Sequence, residues 1–335
     1  MGTGTTQLKL GIAGCGRAAR IHAERLVKIG GITIVGCSDP DLSAARGLAQ
    51  HIAELTGGAE APSFKDHREL LSQARPSAFA IFTPHVSHYR PAMDALQAGC
   101  HVFIEKPLST NLQEAADIVG LAKGRKLKVG VGHQYRLRPS FVEAKKRLEA
   151  GTIGPLKLIV GTLAQPWLST HEGTENTWRF DPKVSGGGIL ADAGDHIIDT
   201  LIWTTGQVGV EAAAFQTKLE SGLDLVTAAA IRLSGGIPVT LGVTGVFPGN
   251  EFELTYFGEQ GRLRVSENML EESIGEKPPR AITLPGPSES IDSNFVSALT
   301  SDSALCCPAD QALDTVRLLE AIMRSASTGQ ILKVI

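Results

Sequence analysis

Cysteine is scarce and follows no ligand pattern. Cys15, Cys37, Cys100, Cys306 and Cys307 are odd in number and show no C-x-x-C spacing. They fit reduced, packed thiols and argue against a disulfide frame or a zinc site. No apolar run approaches the length of a membrane span. The start, Met1–Gln7, lacks the basic residues and apolar stretch of a signal peptide, so the expected compartment is the cytoplasm. Charge of one sign is also missing: the formal net charge is −3, which argues against nucleic acid or an anionic membrane as the main partner. Internal repeats and low-complexity segments are absent, and aromatic residues make up only 5%.

What is present is a soluble globular composition, 42% hydrophobic and 20% charged, over 335 residues. That length is too great for one ordinary core and natural for two domains. The chain is organised around Leu8–His22, LKLGIAGCGRAARIH. Apolar strand material runs into Gly11, Gly14 and Gly16, and a helix follows, with Ala19 small enough to pack close to the strand. Glycine allows a sharp turn and close approach of a ligand to the main chain. Strand, glycine turn and helix form the dinucleotide fingerprint, with the helix N-terminus facing a pyrophosphate. Gly11, Gly14, Cys15, Gly16, Arg17 and Ala18 are therefore candidate cofactor-binding residues. Cys15 sits inside this loop, where alkylation would block cofactor entry.

The apolar run Ile32–Cys37 ends at Asp39. An acidic side chain there accepts hydrogen bonds from an adenosine ribose and repels a 2′-phosphate, which favours NAD over NADP. The alternative is a local role, capping the turn at Pro40 and the helix that begins near Asp41 or Ser43.

Strands are expected at Leu8–Ala13, Ile32–Cys37, Ala78–Thr83, His101–Glu105 and Lys128–Gly132. Helices are expected between them at Ala18–Ile29, Leu42–Leu55, Phe64–Gln73, Tyr89–Ala98 and Leu112–Lys123, with Gly99 and Gly124 as C-caps. The alternation implies an α/β fold with an N-terminal doubly wound parallel sheet of the Rossmann type, over residues 1–130. In residues 131–335 the segments Leu156–Leu163, Val210–Lys218, Leu225–Leu233, Pro238–Phe247, Glu251–Gly258 and Gly261–Ser266 read as strands, several of them alternating. That pattern suits an antiparallel sheet with one covered face in an α+β domain. Glu272–Ser290 reads as a surface loop and Gln311–Ser325 as a final helix.

Two segments could carry chemistry. HVFIEKPL, from His101 to Leu108, ends an expected strand with Glu105 and Lys106. A lysine at the C-terminal end of such a strand faces the ligand crevice, where its ammonium can stabilise an alkoxide; the alternative is a simple pair with Glu105. In GGGILADAGDHIIDTLIW, from Gly186 to Trp203, a regular helix from Ile189 would gather Asp192, Asp195, His196 and Asp199 in one wedge. That wedge is either a solvated face or a buried site. Asp192 and His196 lie one turn apart, so the carboxylate can orient the imidazole. A metal site from this pair lacks an evident third ligand, and none is expected.

These segments, taken in order, resemble the glucose–fructose oxidoreductase, inositol dehydrogenase and rhizopine-catabolism (Gfo/Idh/MocA) family. GIAGCGRAARIH resembles its opening loop, and TPHVSHYRPAMDALQAGCHVFIEKPLS resembles its E-K-P block. GHQYRLRP and WRFDPKVSGGGILADAGDHIID resemble its later segments. The resemblance spans nearly the whole chain. It implies a Rossmann domain joined to a domain whose large, mostly antiparallel open sheet forms a homodimer or homotetramer interface. It also implies a nicotinamide-dependent oxidoreductase acting on a sugar, polyol or inositol.

By position the resemblance makes Lys106, Asp192 and His196 catalytic, with His196 as proton acceptor. It places Thr83, Pro84, His88, Glu105 and Gln134 along the cofactor, and Tyr135, Arg136, Trp178 and Arg179 at the substrate, with Leu163–Asn176 as part of its wall. Trp167, Trp178 and Trp203 fit stacking on sugar faces, though tryptophan is also core filler. Asp195 and Gln134 depart from the family pattern; a carboxylate at Asp195 would favour a charged His196 unless its side chain faces elsewhere. Two other readings stand beside the dehydrogenase: an NAD-retaining glycosidase that uses transient oxidation, and a non-catalytic NAD-sensing regulator.

Overall fold

A computed structural model describes residues 7–172, 177–286 and 289–335. Six leading residues and 173–176, part of the expected substrate wall, lie outside the described residues. In chain order the first elements are β1 (Leu8–Ala13), α1 (Arg17–Ile29), β2 (Ile32–Ser38), α2 (Leu42–Thr56), β3 (Ser63–Phe64), α3 (His67–Ala74), β4 (Ala78–Ile81), α4 (Tyr89–Gln97), β5 (His101–Ile104), α5 (Leu112–Arg125) and β6 (Val129–Val131). Then come α6 (Pro139–Glu149), β7 (Leu156–Ala164), α7 (Trp167–His171), α8 (Pro182–Ser185), a π-helical turn (Leu190–Gly194) and α9 (Asp195–Thr205). The remainder is β8 (Gly209–Lys218), β9 (Asp224–Leu233), β10 (Pro238–Thr244), β11 (Glu251–Gly258), β12 (Gly261–Ser266), β13 (Met269–Ile274), β14 (Arg280–Ala281), α10 (Ile291–Thr300), α11 (Ala309–Thr328) and β15 (Leu332–Lys333).

The chain forms two compact units. The first holds residues 1–109, 113–132 and 289–310; the second holds 110–112, 133–288 and 311–335. The stretch 289–310 falls in the second domain on the sequence division, but the fold returns it to the first unit. There Val131 N–H donates to Cys307 O, and Gly130 bridges to Pro308, so this segment covers the outer edge of β6. A capping box between Ser290 and Ser293 starts α10.

The first unit is a parallel sheet of order β3-β2-β1-β4-β5-β6, the doubly wound Rossmann arrangement. Its strands are apolar because helices cover both faces: β4, Ala78–Ile81, is buried throughout. Gly124 lies inside α5 and is not a C-cap; the left-handed residue after that helix is Lys126, with φ 56°.

The second unit carries a nine-stranded sheet of order β14-β13-β12-β11-β7-β10-β9-β8-β15, antiparallel except where β7 pairs with β10. One face packs on its helices through Ile159, Leu163, Ile231, Val239, Leu241 and Leu254. The other presents a row of aligned, mostly small residues, Phe215, Ala228, Gly242, Thr162 and Glu253, from β8 to β11. The expected loop Glu272–Ser290 instead contains the end of β13 and all of β14.

Candidate active site

In the first unit β1 turns at Gly14, whose φ is +83°. A Cβ there would lie 2.6–2.7 Å from the main chain of Phe82 and Thr83, so the turn admits glycine only. Gly16 has open space around its Cβ position, and Gly16, Arg17 and Ala18 are exposed where α1 begins. No side chain caps α1 and no acidic residue occupies its first turn. Its leading N–H groups and positive dipole end are thus disposed to receive an anion.

Asp39, half-buried beyond β2, accepts from Cys15 N–H at 2.9 Å and from Asp41 N–H at 2.9 Å. The local and the ligand-facing readings of this residue therefore coexist. Two main-chain donors fix the carboxylate at the wall of a cleft of about 410 Å³, lined also by Ala13, Gly14, Ser38, Thr83 and Arg90. The cleft opens at the C-terminal ends of β1, β2 and β4, where the strand order reverses. Thr83 Oγ1 is buried without a hydrogen-bond partner among the described residues. A glycine cradle, an uncapped helix start, an oriented acid and an orphan hydroxyl fit a dinucleotide.

Several expected cofactor residues prove to be supports. Gly11 lies within β1, where a Cβ would meet Leu70 and Phe79 at 2.7–2.8 Å; packing requires this glycine, not the phosphate turn. His88 is fully buried between two loops, with Nδ1 2.7 Å from Pro107 O and Nε2 2.9 Å from Thr83 O, and does not face a ligand. Burial pushes its pKa down despite the two carbonyls. Cys15 is buried with Sγ on Ser38 O, and contact with Cys37 together with burial pushes its thiol up, which makes it a poor nucleophile. Pro84 is half-buried after β4, and Gln134 is exposed in the second unit. Lys106 is half-buried beyond the end of β5, with its N–H donating to Glu105 Oε2 at 3.0 Å.

In the second unit the helix bearing Asp192 and His196 is not regular. Leu190–Gly194 is a π-turn, and the α-helix begins only at Asp195. The wider turn shifts each side chain from its place on an ideal wheel. The carboxylates nevertheless point inward: Asp192, Asp195 and Asp199 are all buried, so the wedge is not a solvated face. Asp192 Oδ2 accepts from Trp167 Nε1 and from Arg179 Nε, each at 2.9 Å. Trp167 is buried and so orients Asp192 from behind. Arg179 and Trp178 remain partly exposed, with the guanidinium 4.3 Å from the Trp178 ring. Trp203 is also half-buried, with Lys145 Nζ 5.4 Å from its ring centroid.

Asp195 meets His133 Nε2 at 2.6 Å; His133 Nδ1 lies 3.3 Å from Asp199 Oδ1. Arg136 grips Asp199 with two bonds, of 2.9 and 2.7 Å, and donates to Gln311 at 2.5 Å. At 2% exposure Arg136 is a buried strut, which corrects its expected place at the substrate. Burial opposes charge on Asp199, but His133 and Arg136 hold its carboxyl below the usual range. The Tyr135 ring lies 5.0 Å from the His196 ring, edge to face, and 4.3 Å from Phe252, stacked. Its hydroxyl donates to Glu267 at 2.8 Å, and burial raises its pKa. Tyr135 thus walls one side of His196.

One positioning residue went unread in the sequence. Asp224, buried at the start of β9, accepts from Gly188 N–H and Leu190 N–H, each at 2.7 Å, and so caps the helix from a distant strand. A Cβ at Gly188 would lie 1.9 Å from Asp224 O, which explains that glycine.

The strand order and cleft define the first unit as a dinucleotide-binding domain of the Rossmann class. Comparison with known proteins refines the class. Residues 8–133 match the oxidoreductase family with an NAD-binding Rossmann fold, and residues 141–264 match the Gfo/Idh/MocA C-terminal domain. The chain belongs to the Gfo/Idh/MocA oxidoreductase family. It is similar to levoglucosan dehydrogenase of Pseudarthrobacter phenanthrenivorans, 30% identical over 155 residues, 46% of this chain and 40% of that one. It is also similar to D-glucoside 3-dehydrogenase of Escherichia coli, 27% identical over 62% of this chain and 57% of that one. In both cases the match spans less than two thirds of the relative's length. Its fold is shared by the WlbA dehydrogenase of Bordetella pertussis, solved with NADH and UDP-GlcNAcA, with a TM-score of 0.82, 23% identity and coverage of 98% and 99%.

Proposed function

We propose that this chain is an NAD-dependent dehydrogenase that oxidises a secondary alcohol of a sugar, polyol or inositol. The observation that carries the reading is the cleft at the ends of β1, β2 and β4, with a lysine just beyond the end of neighbouring β5. Bound NAD would supply the hydride acceptor. Gly16, Arg17 and Ala18 would hold its diphosphate through main-chain N–H groups at the turn that Gly14 and Cys15 make, Asp39 its adenosine ribose, and Thr83 a further polar group. Lys106 would donate to the substrate hydroxyl and stabilise the developing alkoxide, while His196 takes the hydroxyl proton. Asp192, held by Trp167 and Arg179, would accept from a second hydroxyl or orient His196, and Trp178 would offer a sugar-facing surface. The names of the two relatives support a carbohydrate substrate.

The same reading takes the small-residue face of the nine-stranded sheet, with Phe215 80% exposed, as the interface of a homodimer or homotetramer. It places the protein in the cytoplasm, in keeping with five unbridged cysteines and no described helix long and apolar enough to cross a membrane.

The test is absorbance at the NADH wavelength, first on the purified protein, then with NAD or NADP and a panel of sugars, inositols and glycosides. NADH forming with one free sugar or cyclitol supports the dehydrogenase. Glycoside cleavage with retained cofactor and no net NADH would replace it with the glycosidase reading. NAD binding without any turnover would point to a regulator.

A further inference from the structure

The first unit contains a largely buried triad of ionisable side chains. His22, 6% exposed on α1, places Nδ1 2.5 Å from Asp292 Oδ1 and Nε2 3.2 Å from Glu105 Oε1. Asp292 belongs to α10, and Glu105 follows β5 directly. The other oxygen of Glu105 accepts from the N–H of Lys106. The imidazole also stacks on Phe82, with centroids 4.7 Å apart and planes at 27°, and tilts against Phe103 at 5.5 Å. Gly132 keeps the space open, since a Cβ there would lie 2.7 Å from Glu105 Oε1.

We propose that His22 is a positioning residue for the Glu105–Lys106 turn, clamping Glu105 so that its second oxygen fixes the main chain of Lys106. The proposal rests on the reading that Lys106 acts on the substrate hydroxyl. Its physical basis is a count of protons. A neutral imidazole has one N–H and can serve only one carboxylate, leaving a lone pair against the other; the imidazolium serves both. The clamp therefore closes only on a charged ring.

Burial opposes that charge, but hydrogen bonds and attraction from Asp292 and Glu105 prevail, and the pKa of His22 rises to about 9. The charged groups that face it are Glu105 beyond β5 and Asp292 from α10. On its own helix, Arg25 Nη1 lies 3.5 Å from Asp292 Oδ2; Phe82 and Phe103 supply uncharged walls. A folded pKa above the free value of about 6.5 means the clamp is complete at neutral pH and is lost as pH rises through about 9. Loss of the clamp frees Glu105 and removes the anchor of the Lys106 main chain.

The experiment compares wild type with H22Q and D292N as full-length proteins, by three readouts. The first is the pH dependence of Lys106 acetylation by acetic anhydride, followed by mass spectrometry without substrate. The second is NADH fluorescence titration. The third is turnover on whichever sugar the wild type oxidises. H22Q should change Lys106 labelling and cost about ten- to a hundred-fold in kcat, the scale of a small misplacement, with NADH affinity little changed. The wild-type alkaline limb near pH 9 should vanish in H22Q and move to lower pH in D292N, which keeps the ring but loses one carboxylate. Should H22Q not fold, D292N alone supplies the labelling and pH comparisons. Unchanged Lys106 labelling and an unmoved alkaline limb would overturn the proposal and leave His22 as core packing. A wild type that oxidises no sugar overturns the dehydrogenase reading instead, while the labelling comparison still decides the role of His22.

Discussion

Arg136 gives the sharpest test of how the second unit holds its site. Replacing it with methionine keeps most of the volume but leaves Asp199, 0% exposed, without the guanidinium that meets both its oxygens. Breaking a buried pair from one side costs about 3–5 kcal/mol. Asp199 would keep Thr315 Oγ1 at 3.2 Å and His133 Nδ1 at 3.3 Å, which places the cost near the lower end, about 3 kcal/mol. For a unit of this size that corresponds to a fall in Tm of about 6–12 °C.

The pH dependence should also change sign. In wild type the Asp199 carboxyl is held low, so its stabilisation is present above the ordinary carboxyl pKa and is lost as pH falls through the lowered folded value. In R136M the buried carboxylate is poorly matched and prefers its proton, so melting should improve on mild acidification. Adding D199N to R136M should recover part of the loss. Thermal melts of wild type, R136M and R136M/D199N from neutral to acid pH decide the matter. A full-stability R136M with a raised KM would refute the strut and return Arg136 to the substrate.

Other substitutions separate binding from folding. G16A should leave stability within about 1 kcal/mol of wild type yet weaken NADH binding, whereas G14A, facing main chain at 2.6 Å, should lower both. D39N should raise the NADP-to-NAD ratio of kcat/KM about five- to tenfold, by removing one like charge from a cleft that Lys65 and Arg90 also line. Iodoacetamide at neutral pH should leave Cys15 unmodified and activity intact, and stoichiometric labelling by mass spectrometry would contradict its burial. W167F should lower kcat several-fold, because Asp192 loses one of two donors on the same oxygen, a bond worth about 1 kcal/mol, and should lower Tm as well, because the smaller ring leaves a cavity in the core.

The sequence exposed what is local. Glycine turn, strand–helix alternation and the acid after β2 each lie within a few residues, where spacing carries the physics. What it concealed is the identity of partners brought together by the fold. Asp195 stands beside His196 in sequence but spends its charge on His133, 62 residues away. His22 and Asp292 are 270 residues apart and meet at 2.5 Å. The wheel drawn from Ile189 assumed a uniform turn, and a π-segment broke that assumption where chemistry was expected. Gly11 shows the converse error: it has the right residue type near the right motif, but Leu70 and Phe79 are the reason for it.

The return of residues 289–310 to the first unit bears on how the protein is made. The nucleotide-binding unit is not finished when the ribosome has passed β6. Until Cys307 and Pro308 emerge, that strand presents a bare edge, and until Asp292 emerges His22 is buried beside one carboxylate only. A fragment ending after Gly132 would carry every residue of the glycine loop and the E-K-P turn and still lack the piece that closes them. Nascent chains stalled before residue 289 should therefore be protease-sensitive in the first unit, and release of residues 289–335 should bring protection to residues synthesised long before them.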